Sequence, residues 1–216
     1  MAFCTVNGSP VLEGTINLPR IGVWTADVEL PAPTSLPSGL AKISLGSLSF
    51  AGSYARAGFD GRGRVRARIA GGAAGLGKKL APKSYLGTPL RIPLQDILTD
   101  AGEKLSAAAD AATLAFQVPA WSRMQGIAGA SLAALVAVTG SSWRIVTDGS
   151  VWVGPEAWPK SDMAAVAISF EPEAKRRTVA SLLPTVLPGQ VFDGQHIVFV
   201  QHVIETRGLR TVLHLE

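Results

Sequence analysis

Short stretches of alternating apolar and polar residues fill the first third of the chain. Three of them are Val11–Leu18, Gly22–Leu30 and Ala41–Phe50, and glycine, proline and serine concentrate in the breaks at 17–20 and 31–39. Because successive side chains of a strand point to opposite faces, each stretch is predicted to be a strand with one buried face. Several short strands at this spacing predict a small sandwich or barrel.

The hydrophobic period changes to a helical one near residue 90. Pro93 is well placed to open a helix, and Gly102 is predicted to end it. Between them the apolar residues recur at helical spacing. They are Leu94, Ile97, Leu98 and Ala101.

A second helix is predicted from Ser122, as its N-cap, to Val138, with Gly140 as its stop. Its apolar positions form one stripe, and the opposite side is mostly glycine, alanine and serine, so another backbone can approach closely there. The stripe consists of Met124, Ile127, Ala128, Leu132, Leu135 and Val138.

The pattern then returns to strands. In Trp143–Val153 two apolar runs flank Asp148-Gly149, the preferred dipeptide of a tight type I′ hairpin turn. A further hairpin is predicted from His196–Ile204 and Leu209–Leu215 around Thr206-Arg207-Gly208.

Together these elements predict a mainly β fold with an α+β insertion. Strands of one or more small β-barrels are assigned to residues 1–84, and an α/β insertion with two helices and a hairpin is assigned to residues 85–160. Returning strands at 161–216 would complete a barrel.

Composition favours a protein that covers much of its surface with neighbours. The 216 residues are 47% hydrophobic and only 17% charged, with a mean hydropathy of +0.28. That allows a full core and leaves little solvating charge, although an alanine-rich soluble domain has a similar composition. Cys4 is the only cysteine, which excludes an internal disulfide and a cysteine-rich zinc site.

The chain is expected to be made in the cytoplasm without membrane insertion. Met1–Pro10 lacks a basic region followed by an apolar run. Ile127–Val138, the longest apolar stretch, is too short to span a bilayer.

Positive charge is concentrated in one segment. Arg56–Lys83 carries eight basic residues and one acid, a charge of +7, so the rest of the chain sums to −3 against a net +4. Within it Arg62, Arg64, Arg66 and Arg68 alternate with other residues, and on a strand all four would share one face. Such a stripe indicates an acidic patch on a neighbouring subunit, a solvated face, or non-specific contact with DNA in a channel.

Motifs that resemble catalytic ones are incomplete. Gly72–Lys79 fits the spacing of a phosphate-binding loop, but Lys79 replaces the hydroxyl that would bind magnesium and no helix pattern follows. Gly129–Ala133 resembles a nucleophile elbow around Ser131, yet it falls inside a predicted helix.

The three histidines do not predict a catalytic or metal site. His196 and His202 share strand parity and would face the same way, but roughly 20 Å apart, too far for one metal or triad. The sequence therefore predicts a non-enzymatic protein without catalytic residues, metal ligands or a cofactor.

Three C-terminal stretches, Leu187–Phe192, Val198–Ile204 and Gly208–Leu215, together resemble the hairpin that closes the β-barrel of contractile-tail hub proteins. That family includes the phage late-control protein and the first part of type VI secretion spike proteins. Arg91–Gly102 resembles one of their helices, and Trp143-Arg144 with Asp148-Gly149 resembles the hairpin after the next helix. The motifs span about half of the chain, and the order of elements also matches.

The resemblance implies a subunit of a bacteriophage tail baseplate hub, a virion protein assembled in the host cytoplasm. It implies a ring, with a trimer favoured and a hexamer possible, that joins the tail tube to the central spike or fibre proteins around a channel. The chain is shorter than many hubs, which leaves open a distal-tail ring protein. The arginine stripe (Arg62, Arg64, Arg66, Arg68) and Trp143 and Trp152 of the hairpin are expected at subunit interfaces.

A β-barrel module that binds carbohydrate or peptide is the alternative from another class. Its contacts would be tryptophans exposed for stacking on sugars. The candidates are Trp24, Trp121, Trp143, Trp152 and Trp158.

Overall fold

A computed structural model describes residues 3–32, 34–163, 167–179, 185–205 and 208–216. The turn predicted at Thr206-Arg207 lies outside the described residues, although the strands on either side of it are present.

One twelve-stranded antiparallel sheet dominates the fold and takes its strands from both ends of the chain. The N-terminal strands are β1 (Cys4–Val6), β2 (Ser9–Pro10), β3 (Glu13–Pro19), β4 (Thr25–Leu30), β5 (Leu40–Leu45), β6 (Leu48–Phe59) and β7 (Val65–Gly71). The C-terminal strands are β14 (Ala167–Glu171), β15 (Arg176–Val179), β16 (Val191–Phe192), β17 (Gln195–Glu205) and β18 (Gly208–Leu215).

The two ends of the chain meet in the middle of the sheet, where β17 pairs with β3. The strand order is β14-β15-β18-β17-β3-β4-β7-β6-β5-β1-β2, with β16 beside β17. Among the described residues no pairing joins β14 to β2, so the sheet is open and the predicted closed barrel is not confirmed.

The middle of the chain forms three short two-stranded ladders and three α-helices within the described residues. The ladder strands are β8 (Lys79–Leu80), β9 (Lys83–Pro89), β10 (Gln117–Arg123), β11 (Gly126–Ile127), β12 (Ser142–Ile145) and β13 (Val151–Gly154). The helices are α1 (Arg91–Ala101), α2 (Ala111–Ala115) and α3 (Ala128–Ala137).

A continuous core joins the sheet to the helical segment. Ile16, Ile43 and Phe50 are fully buried on the inner side of the sheet, and Leu94 of α1 and Leu132 of α3 are fully buried where the two helices pack. Alternation along the strands thus predicts which face is buried, as it does in β4, where Ala26, Val28 and Leu30 are buried.

Two predicted elements differ from the structure because the chain finds strand partners. Ala41–Phe50 is not one strand: Gly46, with φ 57°, turns the chain between β5 and β6, which pair as a hairpin. The second helix begins at Ala128, not after Ser122, because Gln117–Arg123 pairs with β9. Met124, predicted in the buried stripe, is 76% exposed.

The predicted hairpin at Trp143–Val153 is confirmed, but its turn is of another type. Gly149 N donates to Val146 O and Val146 N donates to Ser150 O, both at 2.9 Å, which defines a three-residue loop. Only Gly149 has a positive φ (83°), as in a type I turn followed by a left-handed glycine. Asp148 lacks the positive φ that a type I′ turn requires, and its carboxylate accepts hydrogen bonds from the backbone N–H and the hydroxyl of Ser150.

Candidate interaction surfaces

The outer face of the large sheet carries most of the clustered charge. Cross-strand partners in register share a face, so the pairings Glu13↔Glu29, Glu29↔Arg66, Asp27↔Arg68 and Arg56↔Arg68 place acids beside arginines across β3, β4, β7 and β6. We call this surface the charged face. It consists of Glu13, Asp27, Glu29, Arg56, Arg66 and Arg68.

Three arginines of the predicted stripe find anionic partners within the chain. Arg64 pairs with Glu29, Arg66 Nε lies 3.8 Å from Glu29, and Arg68 lies 3.9 Å from Asp27. The hydrogen bond from Arg64 to the Glu29 carboxylate raises the pKa of Arg64. These contacts are half exposed and contribute little stability, but they reduce the repulsion expected from the sequence.

The stripe is not a single strand face, which corrects the sequence prediction. Arg66 and Arg68 project from the exposed side of β7, whereas Arg62 and Arg64 lie in the turn before it. The turn forms because Asp60 accepts hydrogen bonds from the backbone N–H groups of Arg62 and Arg64, both at 2.8 Å. Arg62 is exposed at the tip.

A groove of about 980 Å³ crosses the charged face. Backbone and small residues form part of its lining, including Gly14, Ala57 and Gly58, so another chain can approach closely. Local sequence spacing did not predict Arg56 as a member of this site. Arg56 lies beside Arg68 only because β6 pairs with β7.

The two tryptophans of the predicted hairpin have different surroundings. Trp143 is only 7% exposed and belongs to the core, so its side chain packs within its own chain. Trp152 is half-buried: its ring stacks under the Arg144 guanidinium at 4.2 Å, and its Nε1 donates to Ala108 O at 3.0 Å.

An ion pair ties this hairpin to the segment that follows it. Arg144 Nη1 donates to Glu156 Oε1 at 2.6 Å, and the Glu156 side chain is only 8% exposed. Both residues line a cavity of about 380 Å³, together with Trp24, Phe50 and Trp152. The pair therefore fixes one wall of an apolar cavity beside the sheet.

The tryptophans do not form the exposed platform that a sugar-binding module needs, which corrects that expectation. Trp24 is only 2% exposed and stacks edge-on against Phe50. Trp158 is half-buried beneath the His196 ring at 4.0 Å, and Trp121 packs against Tyr85 at 5.8 Å.

The glycine-rich segment Gly72–Lys79 binds a carboxylate of its own chain. Glu103 Oε2 accepts from Ala73 N at 2.9 Å, and Oε1 accepts from Gly75 N at 2.7 Å. These are the backbone donors that a phosphate-binding loop offers to a phosphate. Hydrogen bonds to Glu103 thus connect the loop to the end of α1. The spacing of residues in the sequence did not predict this role of Glu103.

His196 and His202 lie on opposite faces of β17, contrary to the prediction. A register shift between Ile197 and Phe199 reverses the alternation, leaving His196 exposed and His202 fully buried. Ser131 lies inside α3 and not at a strand-to-helix turn.

Within the part of the chain that the structure describes, no group of three or more His, Cys, Asp and Glu residues could hold a metal ion. In the same part, none of the helices has the length and apolar character needed to cross a membrane.

Comparison of the sequence with protein-family models and with curated proteins finds no match. The fold, in contrast, is similar to that of solved tail proteins. The 43 kDa tail protein of prophage MuSo2 from Shewanella oneidensis superposes with a TM-score of 0.71 at 10% identity, covering 99% of this chain and 96% of that one. A tail protein from Neisseria meningitidis gives 0.67 at 12% identity, covering 98% and 95%.

A third similar structure comes from a type VI secretion system. This Escherichia coli component, described as structurally similar to tail proteins of bacteriophage T4, has a TM-score of 0.68 at 10% identity and covers 98% of this chain and 76% of its own. The chain therefore has the fold of phage-tail proteins over nearly its whole length.

Proposed function

We propose that this protein is a structural, non-enzymatic subunit of a phage-tail baseplate hub. The observation that carries the proposal is the likeness of fold, over 98–99% of the chain, to two tail proteins and a type VI secretion component. A partial likeness would fit a shared module in unrelated proteins, whereas this one extends over nearly the whole chain, including the large sheet and the helices.

The surfaces of the chain are compatible with assembly. Leu40, Leu86 and Met124 are each more than three-quarters exposed. The strand β14 at one end of the open sheet has every residue exposed. Exposed apolar side chains and open sheet edges favour contact with other chains over a monomeric state.

In this proposal several copies form a closed ring in the virion, with three copies favoured and six as the alternative. The ring joins the tail tube to the spike or fibre proteins, and its opening could admit DNA through non-specific contacts. Such a role needs matched surfaces and not a reaction centre.

Negative-stain electron microscopy of the purified chain tests the proposal. Class averages should show closed rings with a central opening, alone or after addition of tail-tube protein. Particles that remain single chains in both preparations, or that grow into open filaments, would contradict a ring-forming adaptor.

A further inference from the structure

The strand β6 has one half with an open edge. Its pairing with β5 ends at Leu40↔Ser53, and Tyr54 N then donates to Gly39 O at 2.9 Å. Beyond Tyr54 the strand continues to Phe59 and, within the described residues, pairs only with β7. The segment from Ala55 to Phe59 is therefore an edge strand, although the first half of the same strand has a partner on both sides.

The hydrogen-bond alternation shows which backbone groups this edge presents. Asp60 N donates to Arg64 O at 2.8 Å, so that pair is hydrogen-bonded. In an antiparallel ladder hydrogen-bonded and non-hydrogen-bonded pairs alternate. Arg56 and Gly58 therefore bond to β7, while the N–H and C=O groups of Ala57 and Phe59 point away from it.

An uncompensated positive charge lies beside this edge. Arg56 is exposed and directly opposite Arg68 in the register. Like charges in this position repel each other unless an anion lies between or beside them. Within the described residues Arg56 has no ion pair, and Arg68 has only the 3.9 Å contact with Asp27.

We propose that the outer edge of β6 at Ala57–Phe59 accepts an extended acidic segment of a partner protein as an additional strand. The backbone of Ala57 and Phe59 would bond to the incoming strand, and a carboxylate of that strand would pair with Arg56. Gly58 has no side chain and nothing lies within 4 Å of a Cβ added there, so the incoming side chains have room. Phe59, 53% exposed, supplies an apolar contact.

The chemistry of the groove favours such a polypeptide over a nucleic acid. Glu13, Asp27, Glu29 and Glu205 line the same groove as the arginines. A phosphate backbone carries a charge on every nucleotide and would be repelled by these carboxylates, whereas a polypeptide can place an acid at Arg56 and neutral residues elsewhere. DNA also lacks the amide groups that complete a β ladder.

This inference goes beyond the proposed function, because it requires no ring and no particular neighbour. A chain that fails to form rings could still bind an acidic strand at β6, and a ring could form through other surfaces. Binding to the edge of β6 and ring formation are therefore tested by separate measurements.

The test is fluorescence anisotropy of a labelled heptapeptide that has one central glutamate among alternating valine and threonine residues, with the full chain at low salt. Arg56→Glu should weaken binding at least about tenfold, since it replaces attraction by repulsion. Ala57→Pro should weaken it similarly, because proline removes an outward N–H that the fold does not use. Arg91→Glu, the same charge change at an exposed position on α1, is the matched control and should bind as the wild type does.

Hydrogen exchange distinguishes strand addition from loose attraction. Bound peptide should protect the amides of Ala57 and Phe59, and a peptide with glutamine in place of glutamate should bind at least about tenfold more weakly. If Ala57→Pro fails to fold, Arg56→Glu and the exchange pattern still decide. The proposal is overturned if the acidic peptide does not bind, or if it binds Arg56→Glu as tightly as it binds the wild type. It is also overturned if the glutamine peptide binds as tightly as the glutamate peptide, or if the bound peptide protects amides away from β6. A DNA duplex that binds more tightly than the acidic peptide would overturn it as well.

Discussion

His202 lies in the middle of β17 with no exposed surface, and its Nδ1 is 3.1 Å from Thr211 Oγ1 on β18. Its Nε2 has no hydrogen-bond partner among the described residues. Burial lowers the pKa of His202 from 6.5 to about 4, so the ring is neutral in the folded protein at neutral pH. Its role is that of a core side chain linking β17 and β18.

The depressed pKa makes stability depend on pH in a defined direction. The neutral ring is favoured in the fold, so this contribution is complete above pH 6.5 and is lost as the pH falls towards 4. Between pH 7.5 and 5 the free energy of unfolding should fall by on the order of 2 kcal/mol because of His202. Urea unfolding of the wild type and of His202→Leu at both pH values measures it.

The exposed His196 supplies the control for that measurement. His196→Gln should keep the wild-type pH dependence, whereas His202→Leu should lose most of it. The same pH dependence in His202→Leu as in the wild type would show that the ring is not held neutral by burial.

At the scale of elements, the glycine-rich loop is held by contacts that only glycine permits. A Cβ added at Gly75 would lie 1.9 Å from the carbonyl oxygen of Ala101 at the end of α1. The same stretch is tied to Glu103 by the hydrogen bonds from Ala73 and Gly75, and Lys78 Nζ donates to Ala101 O at 2.8 Å. The loop thus fixes the strand β7 to the end of α1.

Gly75→Ala should therefore destabilise the protein by about 1–3 kcal/mol, because the loop has to move away from Ala101 and lose its bonds to Glu103. Thermal unfolding followed by circular dichroism measures the loss. Gly77→Ala is the matched control: nothing lies within 4 Å of a Cβ added there, so its effect should stay within about 0.5 kcal/mol. Equal effects of the two substitutions would contradict the packing argument.

Local sequence signals predicted elements well where the local period decided the structure. Gly102 ends α1 in the left-handed conformation (φ 83°), as its position after Ala101 indicates. They were wrong where a partner strand decided the structure. Ser122 and Arg123, predicted to begin the second helix, pair with β9, and a register shift in β17 turned His196 and His202 to opposite faces. No local pattern encodes either partner.

At the scale of the whole molecule, the sequence predicted a mainly β fold and a likeness to tail proteins, and the coarse form of both is confirmed. The charged face was less predictable from the sequence than the fold. Arg66 and Arg68 share a face as expected, but Arg56, Glu29 and Asp27 join them only because β6 and β4 pair with β7. Long-range pairing, and not the spacing of arginines, made this surface.

The molar mass of the purified chain in solution, measured by light scattering at low and high salt, tests the ring most directly. The account predicts a mass three times the chain mass of 22.5 kDa, with six times as the alternative ring. Dissociation at high salt would show that ion pairs between subunits hold the ring together. A mass of 22.5 kDa at every concentration and salt would contradict self-assembly as the central property of this protein.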